Sequence, residues 1–267
     1  MKMCKGCHDN PDEIIEYKRK ELVAAKGVAS IRDFERSVLF TRETISLSES
    51  VSDKARTGII AEFKRRSPSK GDINIRASVS EVASGYFREG ASGISILTDT
   101  HFFGGSNDDL SLARGNGHFP ILRKDFIISE YQVIESKAIG ADAILLIAAA
   151  LKKPEILNLA QLARSFGMEV LLEIHEQSEL DSVNQYVNII GVNNRNLKTF
   201  KVNTDISERI ADKMPAGFVR ISESGISSPE VIKRLRLAGY DGFLIGEKFM
   251  SSADPVQLFS EFVKDLA

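Results

Sequence analysis

The chain has 267 residues, 43% of them hydrophobic, and its 35 Lys and Arg residues nearly balance its 37 Asp and Glu residues. These values fit one domain with a large core, since α/β barrels of about 250 residues are commonly single domains. A net charge of -2 argues against nucleic acids or membrane surfaces as partners. No apolar run approaches the roughly 20 residues of a membrane helix, and the polar start is unlike a secretory signal. We therefore expect a cytoplasmic protein.

The first residues carry both cysteines, Cys4 and Cys7, followed by His8. Cys-x-x-Cys-His is the attachment pattern of haem c, but that attachment requires export from the cytoplasm. A closed zinc site would need a fourth ligand. We interpret the segment as an inert terminus, and haem or metal binding is the alternative.

Residues 1–57 lack the repeating pattern of the rest of the chain. Asp12–Lys26 predicts a charged amphipathic helix, in which Lys18–Lys20 are expected on a solvated face. Ser30–Phe40 suggests a second helix, and Ser46–Thr57 a polar connection. The sequence therefore predicts an N-terminal helical extension over 1–57, packed on a catalytic domain over 58–267.

From residue 58 onward, short apolar runs alternate with helix-length amphipathic segments. The runs are nearly continuous in hydrophobicity, as expected of parallel strands covered on both faces. The eight candidate strands are Gly58–Lys64, Gly93–Thr98, Pro120–Phe126, Ala143–Ala150, Glu169–Ile174, Ile189–Asn194, Phe218–Ser224 and Gly242–Met250.

The intervening segments carry the start and stop signals of helices. Ser129–Ala141 opens with a potential N-cap serine, Pro154–Gly167 begins with Pro and ends with Gly, and Ser228–Gly239 shows both signals; Val79–Ala91 has an apolar stripe. Eight strands alternating with helices predict a single (β/α)₈ TIM barrel. A doubly wound open sheet is the alternative, because alternation alone does not show closure.

Polar side chains recur where these strands end. Because strand side chains alternate in direction, each can be assigned a face. The pairs expected to share a face are Glu62 with Lys64, Lys124 with Leu122, Glu173 with Leu171, Asn193 with Arg195, and Ser222 with Ser224. Barrel active sites lie at the carboxyl ends of the strands. The pattern favours a site there over a purely structural ion-pair network, which is the alternative for any single residue.

Two features suggest an anionic ligand. The basic loop Lys64–Gly71 continues the first strand, from the same end as Glu62. Glycines follow the last two strands, in Ser222–Gly225 and Leu244–Glu247, where backbone N–H groups can approach a phosphate. The sequence predicts a phosphate site here, although ordinary turn glycines would look the same.

In these segments the chain resembles the indole-3-glycerol phosphate synthase family. The matching segments occur in the family's order and are Ile59–Lys70 (IIAEFKRRSPSK), Ser95–Ser106 (SILTDTHFFGGS), Pro120–Phe126 (PILRKDF), Gly140–Ile147 (GADAILLI), Val170–Ile174 (VLLEI), Ile190–Leu197 (IGVNNRNL), Ser222–Ile226 (SESGI) and Phe243–Gly246 (FLIG). The resemblance implies a (β/α)₈ barrel with an N-terminal helical extension.

The resemblance also implies a reaction. The family's substrate is the phosphosugar-anthranilate compound 1-(o-carboxyphenylamino)-1-deoxyribulose 5-phosphate, which undergoes ring closure, decarboxylation and dehydration in tryptophan biosynthesis. The aryl amine supplies the electrons, so no cofactor and no metal are expected. We expect a monomer or a weak homo-oligomer.

By the same resemblance, Lys124 matches a general acid, Glu173 a general base, and Lys64 a second lysine for the substrate carboxylate or for proton transfer. Residues that orient intermediates or anchor the phosphate are matched by Glu62, Asn193, Ser224, Gly225 and Gly246. Residues that line the polar side or the apolar slot are matched by Ser67, Arg195, Phe103, Phe126 and Leu145. Glu247 stands where some members have Ser or Thr, so only its backbone N–H is expected to serve the phosphate.

Two other functions compete with this interpretation. Another phosphosugar barrel enzyme, such as phosphoribosylanthranilate isomerase, uses a different acid–base pair, which the two lysines and two glutamates fit poorly. A non-enzymatic barrel that binds a phosphate ligand would not need Lys124 and Glu173 at separate strand ends.

Overall fold

The computed structural model describes residues 11–196, 199 and 201–266. Eight parallel strands pair in chain order and close into a barrel, the first strand against the last. They are β1 Ile59–Phe63, β2 Gly93–Leu97, β3 Ile121–Lys124, β4 Ala143–Ile147, β5 Glu169–Ile174, β6 Ile189–Asn193, β7 Val219–Glu223 and β8 Gly242–Ile245. Closure confirms the predicted TIM barrel and excludes the open sheet.

The helices surround this barrel. They are α1 Pro11–Val28, α2 Ile31–Glu35, α3 Leu47–Ser52, α4 Val79–Arg88, α5 Asn107–Gly115, α6 Glu130–Ile139, α7 Lys153–Ser165, α8 Asp205–Ala211, α9 Pro229–Leu237, α10 Glu247–Met250 and α11 Pro255–Leu266. A 3-10 helix, Gln177–Ser182, takes the place of an α-helix after β5. None of the helices in the described part of the chain is both long and apolar enough to cross a bilayer.

Helices α4, α6, α7 and α9 confirm the predicted helices, and Ser129 and Ser228 lie at N-cap positions. Several expected elements are shorter than predicted. The third strand spans only Ile121–Lys124, and the fourth stops at Ile147, where the 3-10 helix Ala148–Ala150 begins. The last strand stops at Ile245, because the chain turns at Gly246 into α10 instead of extending to Met250. The second helix ends at Glu35, well before Phe40.

Alternate strand residues divide the apolar core into two layers. One set, including Ile59, Ile144 and Leu172, packs between the barrel and its helices. The other set, including Ile60 and Ile221, fills the barrel interior. All five side chains are fully buried. The interior therefore holds apolar side chains up to the level at which the polar strand ends begin.

Helix α3 closes the amino-terminal end of the barrel. Its Leu47 and Val51 are buried and belong to the interior core layer. The prediction of a polar connection over Ser46–Thr57 is therefore wrong. Two apolar side chains spaced by four residues lie on one helical face, and tertiary packing stabilises a helix whose other positions are polar.

Candidate active site

A cavity of about 490 Å³ opens at the carboxyl ends of the strands. It brings together the site residues expected from the sequence with two exceptions, Ser222, which lies on the outer face of its strand, and Ser67. Ser67 is buried in a short two-stranded ladder, Arg66–Ser67 with Gly71–Asp72, beside the cavity but not in its wall. The wall also includes residues that were not expected, among them Ile14, Asp99 and Glu223.

Lys124 lies at the centre of the charged part of the cavity. Its Nζ donates to Glu173 Oε2 at 2.9 Å and to Glu223 Oε2 at 2.7 Å. The three residues lie in the last two positions of β3, β5 and β7, so side chains from alternate strands converge in one layer. We call Lys124, Glu173 and Glu223 the lysine–glutamate cluster.

The cluster has an uneven charge balance, with two carboxylates for one ammonium. Burial raises the pKa of Glu223, Lys124 opposes the rise and Glu173 adds to it, for a final value of about 8. Burial also raises the pKa of Glu173, but Lys124 and His175 outweigh it and bring the pKa down to about 2. Burial lowers the pKa of Lys124, yet Glu173 and Glu223 raise it further, above its usual range. Near neutral pH the cluster therefore holds a charged lysine, an ionised Glu173 and a proton exchanging at Glu223.

A second ion pair lies on β1 and just beyond it. Lys64 Nζ donates to Glu62 Oε1 at 2.7 Å, and both side chains are mostly buried. Gly246 faces this pair, because a Cβ at that position would approach Glu62 Oε1 to 2.5 Å. The packing of Glu62 is thus a sufficient reason for glycine at position 246, with or without a phosphate.

The adjacent wall, formed by the segments after β6, β7 and β8, combines unusual backbone with cations. Ser224 has a φ of 66° and Gly225 a φ of 77° directly after β7. A non-glycine residue in this left-handed region costs about 1–2 kcal/mol, and such strain concentrates at functional sites. Glu247 Oε2 lies 3.6 Å from Arg195 Nη2, and Glu247 Oε1 lies 3.5 Å from Lys70 Nζ. A ligand anion here would compete with Glu247 for two cationic side chains.

Aromatic and aliphatic side chains form the remaining wall. Phe103 and Phe126 lie with ring centroids 6.3 Å apart and an interplanar angle of 37°. Leu145 and Ile147 of β4 continue the apolar surface, and Ile14 of α1 reaches it from the N-terminal segment. The slot is suited to a flat aromatic group.

Helix α1 is fastened to this end of the barrel by a buried lysine. Lys18 is 2% exposed, and its Nζ lies 2.8 Å from Asp99 Oδ2 and 3.0 Å from Asp125 Oδ1. Burial lowers its pKa, but Asp125 and Asp99 outweigh this and raise the pKa. The expectation that Lys18 belongs to a solvated face is therefore wrong. Its partners follow β2 and β3, and Asp125 is next to Lys124, so α1 forms part of the site.

The comparisons with known proteins agree with one another. A family model described as indole-3-glycerol phosphate synthase matches residues 11–262. A protein of that name from Bacteroides thetaiotaomicron is 48% identical over 252 residues, which is 94% of this chain and 96% of the relative. Another, from a Polaromonas species, is 41% identical over 248 residues, covering 91% and 94%. The chain belongs to the indole-3-glycerol phosphate synthase family.

One solved structure extends the comparison at the level of fold alone. It is the tryptophan synthase α2β2 complex from Pyrococcus furiosus, with a TM-score of 0.56 and 15% sequence identity. The alignment covers 78% of this family member and 96% of that chain.

Glu223 is the main residue that the sequence interpretation missed. Ser222 was expected to share the inward face with Ser224, but β7 presents Ile221 and Glu223 inward. Ser224 does line the cavity, from the turn after the strand. The Ser222 hydroxyl instead lies outside, within 2.9 Å of Asn194 Nδ2 and 2.8 Å of the Ser207 hydroxyl. One signal was present in the sequence: β1, β3 and β5 each carry a charged residue in their last two positions, and only Glu223 continues that pattern in β7.

The alternative of haem or metal binding at the N-terminus concerns residues that the structure does not describe. Cys4, Cys7 and His8 lie outside the described residues. Within residues 11–196, 199 and 201–266, no three His, Cys, Asp or Glu side chains are grouped to hold a metal ion.

Proposed function

We propose that this chain converts 1-(o-carboxyphenylamino)-1-deoxyribulose 5-phosphate into indole-3-glycerol phosphate, CO₂ and water. The observation that supports this most is the lysine–glutamate cluster, which lies between an apolar slot and a cationic wall in one cavity. An aromatic acid with a phosphosugar tail needs those three environments in that order. A non-enzymatic phosphate binder would have no use for a buried ammonium shared by two carboxylates.

In this proposal the anthranilate ring lies between Phe103, Phe126 and Leu145. Its carboxylate faces Lys64, whose charge Glu62 holds in place at 2.7 Å. The ring carbon that carries the carboxylate attacks the sugar ketone, driven by the lone pair of the aryl nitrogen. Lys124 donates its proton to the ketone oxygen as negative charge develops there.

Loss of CO₂ then restores the aromatic ring, since the electrons of the broken carbon–carbon bond neutralise the iminium nitrogen. Dehydration follows. Glu173 accepts a proton from the former sugar C1′, the hydroxyl leaves as water with a proton from a lysine, and the pyrrole double bond forms. Overall one proton is taken from solvent, because a carboxylate leaves as neutral CO₂. Glu223 and Asn193 orient Lys124 and Glu173 through this sequence.

The phosphate is proposed to bind at the strained turn, on Ser224 and the backbone of Gly225, with Arg195 nearby and Gly246 and Glu247 at its edge. The positive φ values of Ser224 and Gly225 support this placement. We further propose a division at residue 57 between extension and barrel, activity without a metal or cofactor, a cytoplasmic location, and a monomer or weak homo-oligomer.

The test is an assay of the purified full chain with the proposed substrate. Indole-3-glycerol phosphate and CO₂ should appear in equal amounts, and the dephosphorylated substrate should show a KM raised at least about tenfold, a loss of about 1.4 kcal/mol in binding. No product under conditions in which the chain is folded would contradict the proposal. Equal KM values for the two substrates would contradict the proposed phosphate site but not the proposed reaction.

A further inference from the structure

His175 is a mostly buried side chain beside the lysine–glutamate cluster, and the proposed chemistry gives it no role. It follows β5, two residues after Glu173, and its side chain is only 10% exposed. Neither ring nitrogen makes a hydrogen bond to any described residue. Buried polar groups normally have partners, so an imidazole left with unused hydrogen-bonding capacity beside a reacting carboxylate requires an explanation.

The ring lies between two carboxylates. His175 Nε2 is 3.5 Å from Glu173 Oε1, and Nδ1 is 3.9 Å from Glu179 Oε2. Glu179 is itself fixed, because its Oε2 accepts from the backbone N–H groups of His175 at 2.5 Å and Glu176 at 3.2 Å. The neighbouring 3-10 helix, Ala148–Ala150, brings no ionisable group. Helix α7 also packs on this turn and brings Lys153, which pairs with the exposed Asp181 at 3.2 Å. Among the described residues, the charged groups closest to the ring are thus Glu173 from the strand and Glu179 from the turn, with Lys124 behind Glu173.

The proposed reaction changes the surroundings of Glu173. In the structure Glu173 Oε2 accepts from Lys124 at 2.9 Å. When Lys124 turns toward a ketone oxygen, Glu173 loses that donor while it stays 3% exposed. The hydrogen bond from Asn193 remains, but a buried carboxylate that has lost its ammonium partner takes up a proton more readily, which would weaken it as a base. A second donor close by would keep Glu173 ionised.

We propose that His175 is a positioning residue. When Lys124 turns to the substrate, His175 replaces it as a hydrogen-bond donor to the carboxylate of Glu173. This inference rests on the proposed function. The ring has only to move a few tenths of an ångström for Nε2–H to donate to Glu173 Oε1. The proton stays on His175 throughout. Glu173 keeps its ionised form and its orientation, and its other oxygen becomes available to the substrate.

The experiment compares His175→Phe, which has no donor, with His175→Gln, which keeps one. His175→Phe should lower kcat by about 10–100-fold with KM changed less than about threefold, as misplacement of a catalytic group does. It should also move the acidic limb of the kcat profile to higher pH, since Glu173 protonates more readily without the donor. His175→Gln should stay within about threefold of the parent.

Three further variants make the result decisive. His118→Phe alters an exposed histidine in the turn after α5 and should leave kcat and the pH profile unchanged. His175→Asn, too short to reach Glu173, should behave as His175→Phe and replaces it if phenylalanine prevents folding. Glu173→Gln is assayed in parallel to test the base itself.

Each pattern of results has one meaning. If the acidic limb of the kcat profile does not move in either His175→Phe or His175→Asn, the inference is overturned. That holds when kcat of these variants is unchanged, and also when it falls by as much as it does in His175→Gln. If Glu173→Gln loses activity while His175→Phe does not, the proposed function stands and only the role of His175 fails. If Glu173→Gln keeps full kcat, the proposed base is wrong and the inference falls with it.

Discussion

Buried carboxylates have different numbers of hydrogen-bond donors at the two ends of the barrel. At the amino-terminal end, Asp142 accepts from Arg42 at 2.6 Å, from the backbone of Ile45 and Ile121, and from Arg114. At the carboxyl end, Glu223 Oε2 accepts from Lys124, while Glu223 Oε1 makes no hydrogen bond to any described residue. Both carboxylates are almost completely buried.

The difference follows from what each end has to do. A carboxylate whose oxygens are all occupied by local donors stabilises one arrangement of the chain and has nothing left for a ligand. A carboxylate with an unused oxygen next to a shared ammonium is costly in the empty protein and becomes useful when a substrate supplies the missing partner. We therefore interpret the amino-terminal end as structural and the carboxyl end as functional. Three variants test this division.

The largest expected effect is on activity. Lys124→Met keeps the apolar stem and removes the proposed acid, so kcat should fall by about 10²–10⁴-fold. The same change leaves Glu173 and Glu223 buried without their ammonium, and loss of one partner from a buried pair costs about 3–5 kcal/mol. Steady-state kinetics are therefore measured together with urea unfolding.

The double variant Lys124→Met with Glu223→Gln is the matched control, because it removes one of the two unpaired carboxylates. It should recover stability and leave kcat low. A double variant that regained activity would show that Lys124 serves the fold rather than the reaction.

The next effect is on stability, at the other end. Asp142→Asn keeps the shape and leaves Arg42 and Arg114 without their carboxylate, so the free energy of unfolding should fall by about 3–5 kcal/mol. Because Asp142 precedes β4, at the end of the barrel opposite Lys124, kcat of the folded enzyme should stay within about threefold, or roughly 0.7 kcal/mol. A large fall in kcat at unchanged stability would contradict the division between the ends.

The sequence was sufficient to predict the barrel because its signals are local. Each apolar run is a strand, and the residue before or after it defines the turn. The same local rule found Lys124 and Glu173, which share a face with apolar neighbours in their own strands.

The failures are at positions where distant residues decide. Lys18 is buried because it forms ion pairs with Asp99 and Asp125, which lie far along the chain. Leu47 and Val51 lie in a polar segment and are buried because they pack against the apolar side chains of the barrel interior. Glu223 was missed by a shift of one residue in the strand, which exchanges the two faces. No pattern within these segments alone distinguishes the alternatives.

The smallest expected effect concerns the pH dependence of stability. The pKa of Glu223 is raised from 4.5 to about 8, first by burial and also by Glu173. The folded protein therefore binds this proton more tightly than the unfolded chain. The resulting stability is complete below about pH 4.5 and is lost as the pH rises through 8. Glu173, with its pKa lowered to about 2, has the opposite sign, and its contribution declines only below about pH 4.5.

Glu223→Gln removes the group responsible for the loss at high pH while keeping its shape beside Lys124. Its melting temperature should match or fall below that of the parent at pH 5 and exceed it at pH 8.5. For a chain of this size each kcal/mol corresponds to roughly 2–4 °C, so a difference of a few degrees is expected. The control is Glu43→Gln, a change at an exposed glutamate, which should change the melting temperature by the same amount at pH 5 and at pH 8.5. If the difference between Glu223→Gln and the parent is the same at the two pH values, Glu223 carries no extra proton in the fold, and the two ends of the barrel do not differ in the protonation of their buried carboxylates.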